Sequence, residues 1–335
     1  MERNKIIRYA VAALAILLMV GVAEWIGEKE IIFPELTALT IGAWIIDKRV
    51  WKVKRWQLVA LMSSGAIVGV CIVRYSLLPF PVNMALAFAF AGLSLLCIRA
   101  TLIPLISACM LPILLHTETW IYPLAVFSLS IILTLGQKGM EKANIRREID
   151  YIPADRNWKK DSLRWLSLLL FVYLLSVIAY RMDFRFLVIP PLVVTFAEIV
   201  NSKAGFRARP VQLFLFMMTA SLLGTGFQLF GYHYLHLPET VVALCIALSL
   251  FAIFEWTGKY FAPAGALAFI PMIVPADNLV WLPLQASLGA AIFIAIAMIV
   301  FLQCYKWNRA QLIYCVTPTL LRRYWDKKRK QSATK

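Results

Sequence analysis

Apolar runs separated by short polar breaks fill this chain from end to end. They occupy about 6–26, 31–46, 57–79, 82–98, 101–115 and 120–136. After a polar stretch they recur at 165–180, 186–200, 211–230, 239–256, 260–275 and 279–302. A helix needs ~20 mostly apolar residues to cross a bilayer. The pattern therefore predicts an all-α polytopic membrane protein of about twelve transmembrane segments. Two runs, 101–115 and 260–275, are short and carry two or three prolines each, so they are open to either a full crossing or a re-entrant path.

The prolines fall into a repeating register. Pro104 and Pro112 are eight residues apart, as are Pro263 and Pro271, and each pair is followed by a tryptophan (Trp120, Trp281) and a further proline (Pro123, Pro283). Upstream, Gln57, Met62 and Gly69 have the spacing of Gln212, Met217 and Gly224, and Pro34 and Pro190 precede them by 23 and 22 residues. Matched interruptions of apolar segments in two halves point to a transporter built from repeats, with its binding site at the interruptions. Six spans per half is an even number, so the repeats are expected to be parallel. The division is 1–136 for the first repeat, 137–164 for a linker, 165–303 for the second repeat and 304–335 for a basic tail.

Composition agrees with a membrane origin: of 335 residues 61% are hydrophobic and 16% charged, against roughly 25% charged in a soluble domain. The first run ends in AEWIGEKE without a small-residue cleavage site, so it is expected to be retained. The net charge of +16 is explained by its placement, because Lys and Arg near span ends concentrate in the cytoplasm. With twelve crossings and a cytoplasmic N-terminus, 30 basic residues lie inside, and Lys29, Arg74, Arg181 and Arg185 make 4 outside. Making the two short runs re-entrant changes the split to 20 and 14, so twelve crossings are preferred. Both termini and the linker are then cytoplasmic, and the expected location is a cell membrane, the plasma membrane of a bacterium. The tail QLIYCVTPTLLRRYWDKKRK fits an interfacial segment on anionic lipid headgroups. No nucleic-acid partner is called for.

Catalytic signatures such as GxSxG, a phosphate-binding Gly-rich loop and HExxH are absent, and no enzyme activity is expected. The six cysteines are scattered singly and read as small hydrophobes. His233 and His236 in GYHYLHLP lack a nearby carboxylate or thiol, so no metal is assigned, and no cofactor is implied. Three carboxylates sit at or inside apolar runs: Glu35 after Pro34, Glu198 after Pro190 and Pro191, and Glu255 before Trp256. Intramembrane acids are costly and are by default functional. End-of-span snorkelling is the plainer alternative for each, and the weaker candidate is Glu255. Proline frees a carbonyl four residues back, and such backbone survives in a membrane only inside protein or beside a watery cavity. Candidate substrate-binding residues are therefore Glu35, Pro104, Pro112, Pro190, Pro191, Glu198, Pro263, Ala264, Gly265, Ala266 and Pro271. The plainer reading of Pro263 to Ala266 is a kink with small-residue helix packing.

The segments LVIPPLVVTFAEIV, FMMTASLLG and FAPAGALAFIPMIVP resemble the HPP family of membrane proteins over about Phe186 to Phe301, with a degenerate copy over Ile31 to Leu135. The family segment, His-Pro-Pro-Ala-Gly-Ala-like, lines up on Ala262, Pro263, Ala264, Gly265 and Ala266. Phe261 stands where the family has its histidine, and Ala262 replaces the first proline. The resemblance implies a permease, nitrite being the solute linked to some members; whatever the histidine does is not carried over. The six-plus-six plan also looks like aromatic-acid or fusaric-acid efflux proteins, although their cytoplasmic domain has no counterpart in a 28-residue linker. The functional expectation is a secondary transporter of a small solute, an inorganic or organic anion among the options. An efflux protein and a non-transporting scaffold or assembly subunit remain as alternatives, and a homo-oligomer is left open.

Overall fold

The structure is a computed structural model describing residues 3–148, 151–155, 157–201 and 209–304; the tail expected at 304–335 lies outside these beyond its first residue. In chain order the helices are α1 (Arg3–Ile26), α2 (Glu35–Thr40, continued by a π-helical turn Ile41–Ile45), α3 (Arg55–Tyr75), α4 (Phe80–Cys97), α5 (Leu105–Leu115) and α6 (Ile121–Lys142). There follow α7 (Trp158–Arg181), α8 (Pro190–Asn201), α9 (Pro210–Phe227, continued by a π-helical stretch Gln228–Tyr234), α10 (Glu239–Thr257), α11 (Ala262–Phe269, with a 3-10 turn Ile270–Met272), the single turn α12 (Ala276–Leu279) and α13 (Leu282–Cys304). Among the described residues no strand interrupts them.

Among the described residues eight helices, α1, α3, α4, α6, α7, α9, α10 and α13, are long and apolar enough to cross a membrane. They bury only 33–50% of their apolar windows. Leu14, Leu93, Leu124, Leu170, Leu222 and Leu248 stand among the side chains they expose. An apolar outer face is unfavourable in water and costs nothing against lipid tails, so the chain is an all-α membrane protein.

Among the described residues eight of the twelve expected runs form helices long enough to cross alone, and the other four hold the short helices α2, α5, α8 and α11. At 1.5 Å per residue, the 12 residues of α8 rise ~18 Å against a hydrocarbon core of ~30 Å. These short helices invert the burial of the long ones. Every residue from Glu35 to Ile45, from Leu105 to Leu114, from Pro190 to Val200 and from Ala262 to Met272 is buried. Both ends of the expected linker 137–164 are helical, since α6 continues to Lys142 and α7 starts at Trp158.

Each half shows the same order: long, short, long, long, short, long, with α12 added before the last. Within the halves α3 packs on α6, and α9 on α13. Between them α1 packs on α10 and α4 on α7, while among the short helices α2 packs on α11 and α5 on α8. The matched prolines have matched neighbours. A Cβ on Gly69 would collide with the Cys109 carbonyl and crowd Cγ of Pro112; one on Gly224 would collide with the Ala268 carbonyl and crowd Cγ of Pro271. In both places a glycine lets one backbone lie directly on another, the close approach that holds helices together without a hydrophobic driving force.

Two ends can be told apart by charge. At one, Arg8 lies 2.5 Å from Asp47, Arg55 pairs with Glu141, Lys5 is 2.8 Å from Glu255 and Lys259 donates to Gln212. This basic end collects the N-termini of α1, α3 and α9 and the C-termini of α6 and α10. The opposite end carries Glu24, Lys29 and Glu239, with His116, His233 and His236 exposed.

Candidate functional site

The four short helices all start on proline. Pro34 and Pro104 are the N-caps of α2 and α5, Pro190 and Pro191 open α8, and Pro263 is in the first turn of α11. These residues were expected to break helices, and instead they begin them. The first turn of a helix has N–H groups without intrahelical partners, so proline loses nothing there and its fixed φ favours the start. The remaining donors are closed locally, as by Leu36 to Phe33, Ile106 to Ile103 and Leu192 to Ile189.

Those starts converge. Glu35 and Ala38 of α2, Pro104 and Ser107 of α5, Pro191 and Val194 of α8, and Ala262, Pro263 and Ala266 of α11 enclose one cavity, with Trp51 as its remaining wall. Its volume is about 10 Å³, near the least that accommodates one water. Its place along the bundle follows from α3, where Gly65, midway along the helix, faces Leu105 at the start of α5.

Glu35 is the one ionisable residue lining this cavity. Oε1 accepts the Ser107 hydroxyl, while Oε2 is buried without a protein partner. Isolated charge in a low-dielectric interior is expensive. The N-terminal ends of α5, α8 and α11 point their positive dipole ends at the same space, and each offsets ~0.3–1 kcal/mol of such a cost, rising to ~2 in buried geometry. Nearby, the Tyr122 hydroxyl donates to the Ala108 carbonyl at 3.1 Å. That carbonyl is the one Pro112, four residues on, has no N–H to satisfy.

Of the residues singled out in the sequence, Glu35, Pro104, Pro191, Pro263 and Ala266 meet at the cavity. Pro190 and Ala264 are buried beside them without lining it. Gly265 faces α2, where a Cβ would meet Ile41 and approach Thr37 Cγ2 to 3.2 Å; here the packing role applies. Pro112 and Pro271 do not line the cavity and lie against Gly69 and Gly224. Glu198 is near the far end of α8, where it accepts the Trp51 indole N–H at 3.4 Å. Glu255 accepts from Lys5, Tyr9 and Tyr260, a tie between α1 and α10.

Ser107 and Trp51 were not singled out. Ser107 carries no sequence signal, being one small polar residue in an apolar run. Trp51 lies in DKRVWKVKRW, where the cations dominated; an aromatic followed by buried Val53 in a basic loop was the available hint. Among the described residues no cluster of three or more His, Cys, Asp and Glu could hold a metal. No family model matches this chain, and no curated protein or solved structure matches it.

Proposed function

We propose that this protein is a secondary permease for a small anion, with the Glu35 cavity as its central binding site. The observation that carries this reading is the convergence of four short, fully buried helices, two from each half, on an acid with an unpartnered oxygen near mid-bundle. Half-span helices whose starts meet at the middle of a membrane are the architecture of solute sites in repeat-built transporters.

The halves are parallel repeats in this proposal. The common order of elements, the reciprocal pairs α1/α10 with α4/α7 and α2/α11 with α5/α8, and the equal glycine–proline contacts support it. Each short helix completes a crossing together with the segment that leads into it, a 3-10 turn at Lys29–Ile31 before α2 and at Arg185–Val188 before α8, so the chain passes the bilayer twelve times. The basic end is cytoplasmic, as the positive-inside bias demands, and both termini lie there. The likeness of the second half to the HPP family agrees with a permease of this kind.

The anion is attracted by helix N-termini, since no Lys or Arg lines the cavity. It cannot share that space with an ionised Glu35, because like charges a few ångströms apart in a medium of low dielectric repel strongly. Glu35 must therefore hold a proton when the anion binds, which couples anion to proton in one direction of flow. With room for a single water in this conformation, the short helices must part before a solute enters.

Liposomes containing the pure protein test this, with nitrite and formate as probe anions. We expect accumulation driven by an acidic exterior. In Glu35→Gln the carboxyl is replaced by a neutral isostere, so anion exchange should persist while the dependence on the pH gradient is lost. Absence of flux above protein-free liposomes for these and other small anions removes the permease reading in favour of an assembly or scaffold role.

A further inference from the structure

Trp51 stands between two cavities. On one side its ring closes the Glu35 cavity. On the other it lines a second cavity of about 40 Å³ at the basic end, with Arg49, Lys54, Arg55, Gln137 and Arg146 in the same wall. One indole separates the buried site from a basic mouth.

Its setting is unusual for so large a buried ring. Trp51 is 6% exposed yet belongs to the non-helical segment 46–54, between the π turn of α2 and the start of α3. The ring packs directly against Gly42, where a Cβ would overlap Cζ3 and Cη2. A ring on a loop, resting on a glycine, is held by contact alone on that side and can swing without unwinding a helix. The one directional bond it makes to a side chain among the described residues goes to Glu198, 147 positions away in the other half. That bond, at 3.4 Å, is long for an N–H donor.

The mouth beyond it is cationic. Arg55 and Arg146 both pair with Glu141, the second at 3.2 Å, and Arg49 and Lys54 lie over the Tyr151 ring at 5.5 and 5.4 Å. Arg49, Lys54, Arg55 and Arg146 line this cavity and no acid does, Glu141 and Glu148 lying behind Arg55; a basic lining raises the local concentration of small anions before they reach the site.

We propose that Trp51 is the inner gate of the anion path. When the halves move apart at α8, the indole loses Glu198, leaves Gly42 and joins the basic mouth to the Glu35 cavity. The proposal rests on the permease reading above, and it assigns the cytoplasmic route, its selectivity for anions and the residue that closes it.

The test does not require transport. Val194→Cys places a thiol in the cavity wall, and the protein in lipid nanodiscs exposes both ends to a negatively charged methanethiosulfonate. Modification at residue 194 is read by peptide mass. With Trp51 intact we expect slow labelling. Trp51→Ala should raise the rate by roughly tenfold or more, the factor that ~1.4 kcal/mol of gate-closing energy represents. Trp51→Phe, which keeps a ring on Gly42, should stay slow. Should Trp51→Ala fail to fold, Gly42→Ala leaves the tryptophan in place and pushes it off its seat, and it should accelerate labelling likewise. Parent-rate labelling in the variant that folds, or fast labelling with Trp51 and Gly42 both intact, overturns the gate. Flux in liposomes decides the permease reading separately, so the two failures are distinguishable.

Discussion

Across the seam between α1 and α10, Glu255 accepts Lys5 at 3.0 Å, Tyr9 at 2.5 Å and Tyr260 at 2.6 Å. At the other end of the same seam Glu24 takes both the Glu239 and Thr240 amides at 3.0 Å, and Lys29 lies 3.0 Å from Glu239. The corresponding seam between α4 and α7 is made differently. Trp165 packs against Phe88 at 5.6 Å between ring centroids, and its Cε3 would be 2.8 Å from a Cβ on Gly92. Phe80 stacks on Tyr180 at 6.2 Å. Hydrogen bonds and ion pairs have preferred directions and resist sliding, while dispersion between rings is non-directional and changes little over small displacements. If the halves rock, α1/α10 is the pivot and α4/α7 the seam that moves.

The sharpest break of this contrast is a covalent one. Cysteines at Phe80 and Tyr180, joined by a short bifunctional thiol reagent, should reduce flux in liposomes to background. The same reagent across cysteines at Lys5 and Glu255 should leave most of it. Equal inhibition by both links would show that the two seams move alike. In stability the order reverses the apparent strengths. Trp165→Ala removes a ring only 5% exposed and should cost ~3–5 kcal/mol, read as a lowered midpoint of unfolding in mixed micelles. Glu24→Ala removes an acceptor that caps the start of α10 and should cost ~1 kcal/mol in the same measurement. A loss at Glu24 as large as that at Trp165 would mean that the polar seam, and not the aromatic one, carries the cohesion of the halves.

The long helices were legible because an apolar run of ~20 residues has few other uses. The short ones were only half legible, and the reason is local. Hydropathy cannot distinguish the residues that lead into a helix from the helix itself, so Ile31 to Phe33 were counted with α2 and Phe186 to Ile189 with α8. Proline is ambiguous in the same way, since Pro104 starts a helix and Pro112 sits inside one. Gly69 and Gly224 could be matched by spacing, but what each touches is fixed by a helix folded forty residues downstream. Glu35 was visible as an acid in an apolar run. Trp51 was not, because its importance depends on Glu198, 147 positions away, and on a loop that folds back onto Gly42.

The exchange of short helices between halves also constrains how the chain is made. α2 is covered chiefly by α11, whereas α5 has α3 and α4 of its own half beside it, so the first half emerges from the ribosome with α2 lacking its main partner. α11 begins roughly 220 residues after α2 ends, a delay of about 10–40 s at ~5–20 residues per second. During that interval Glu35 lacks the walls that α8 and α11 give its cavity and is open to lipid, water or a chaperone. The N-terminal half synthesised alone should be a substrate for membrane proteases, and supplying the second half as a separate polypeptide should rescue it. Completion of the chain is thus registered at the cavity where the four short helices meet.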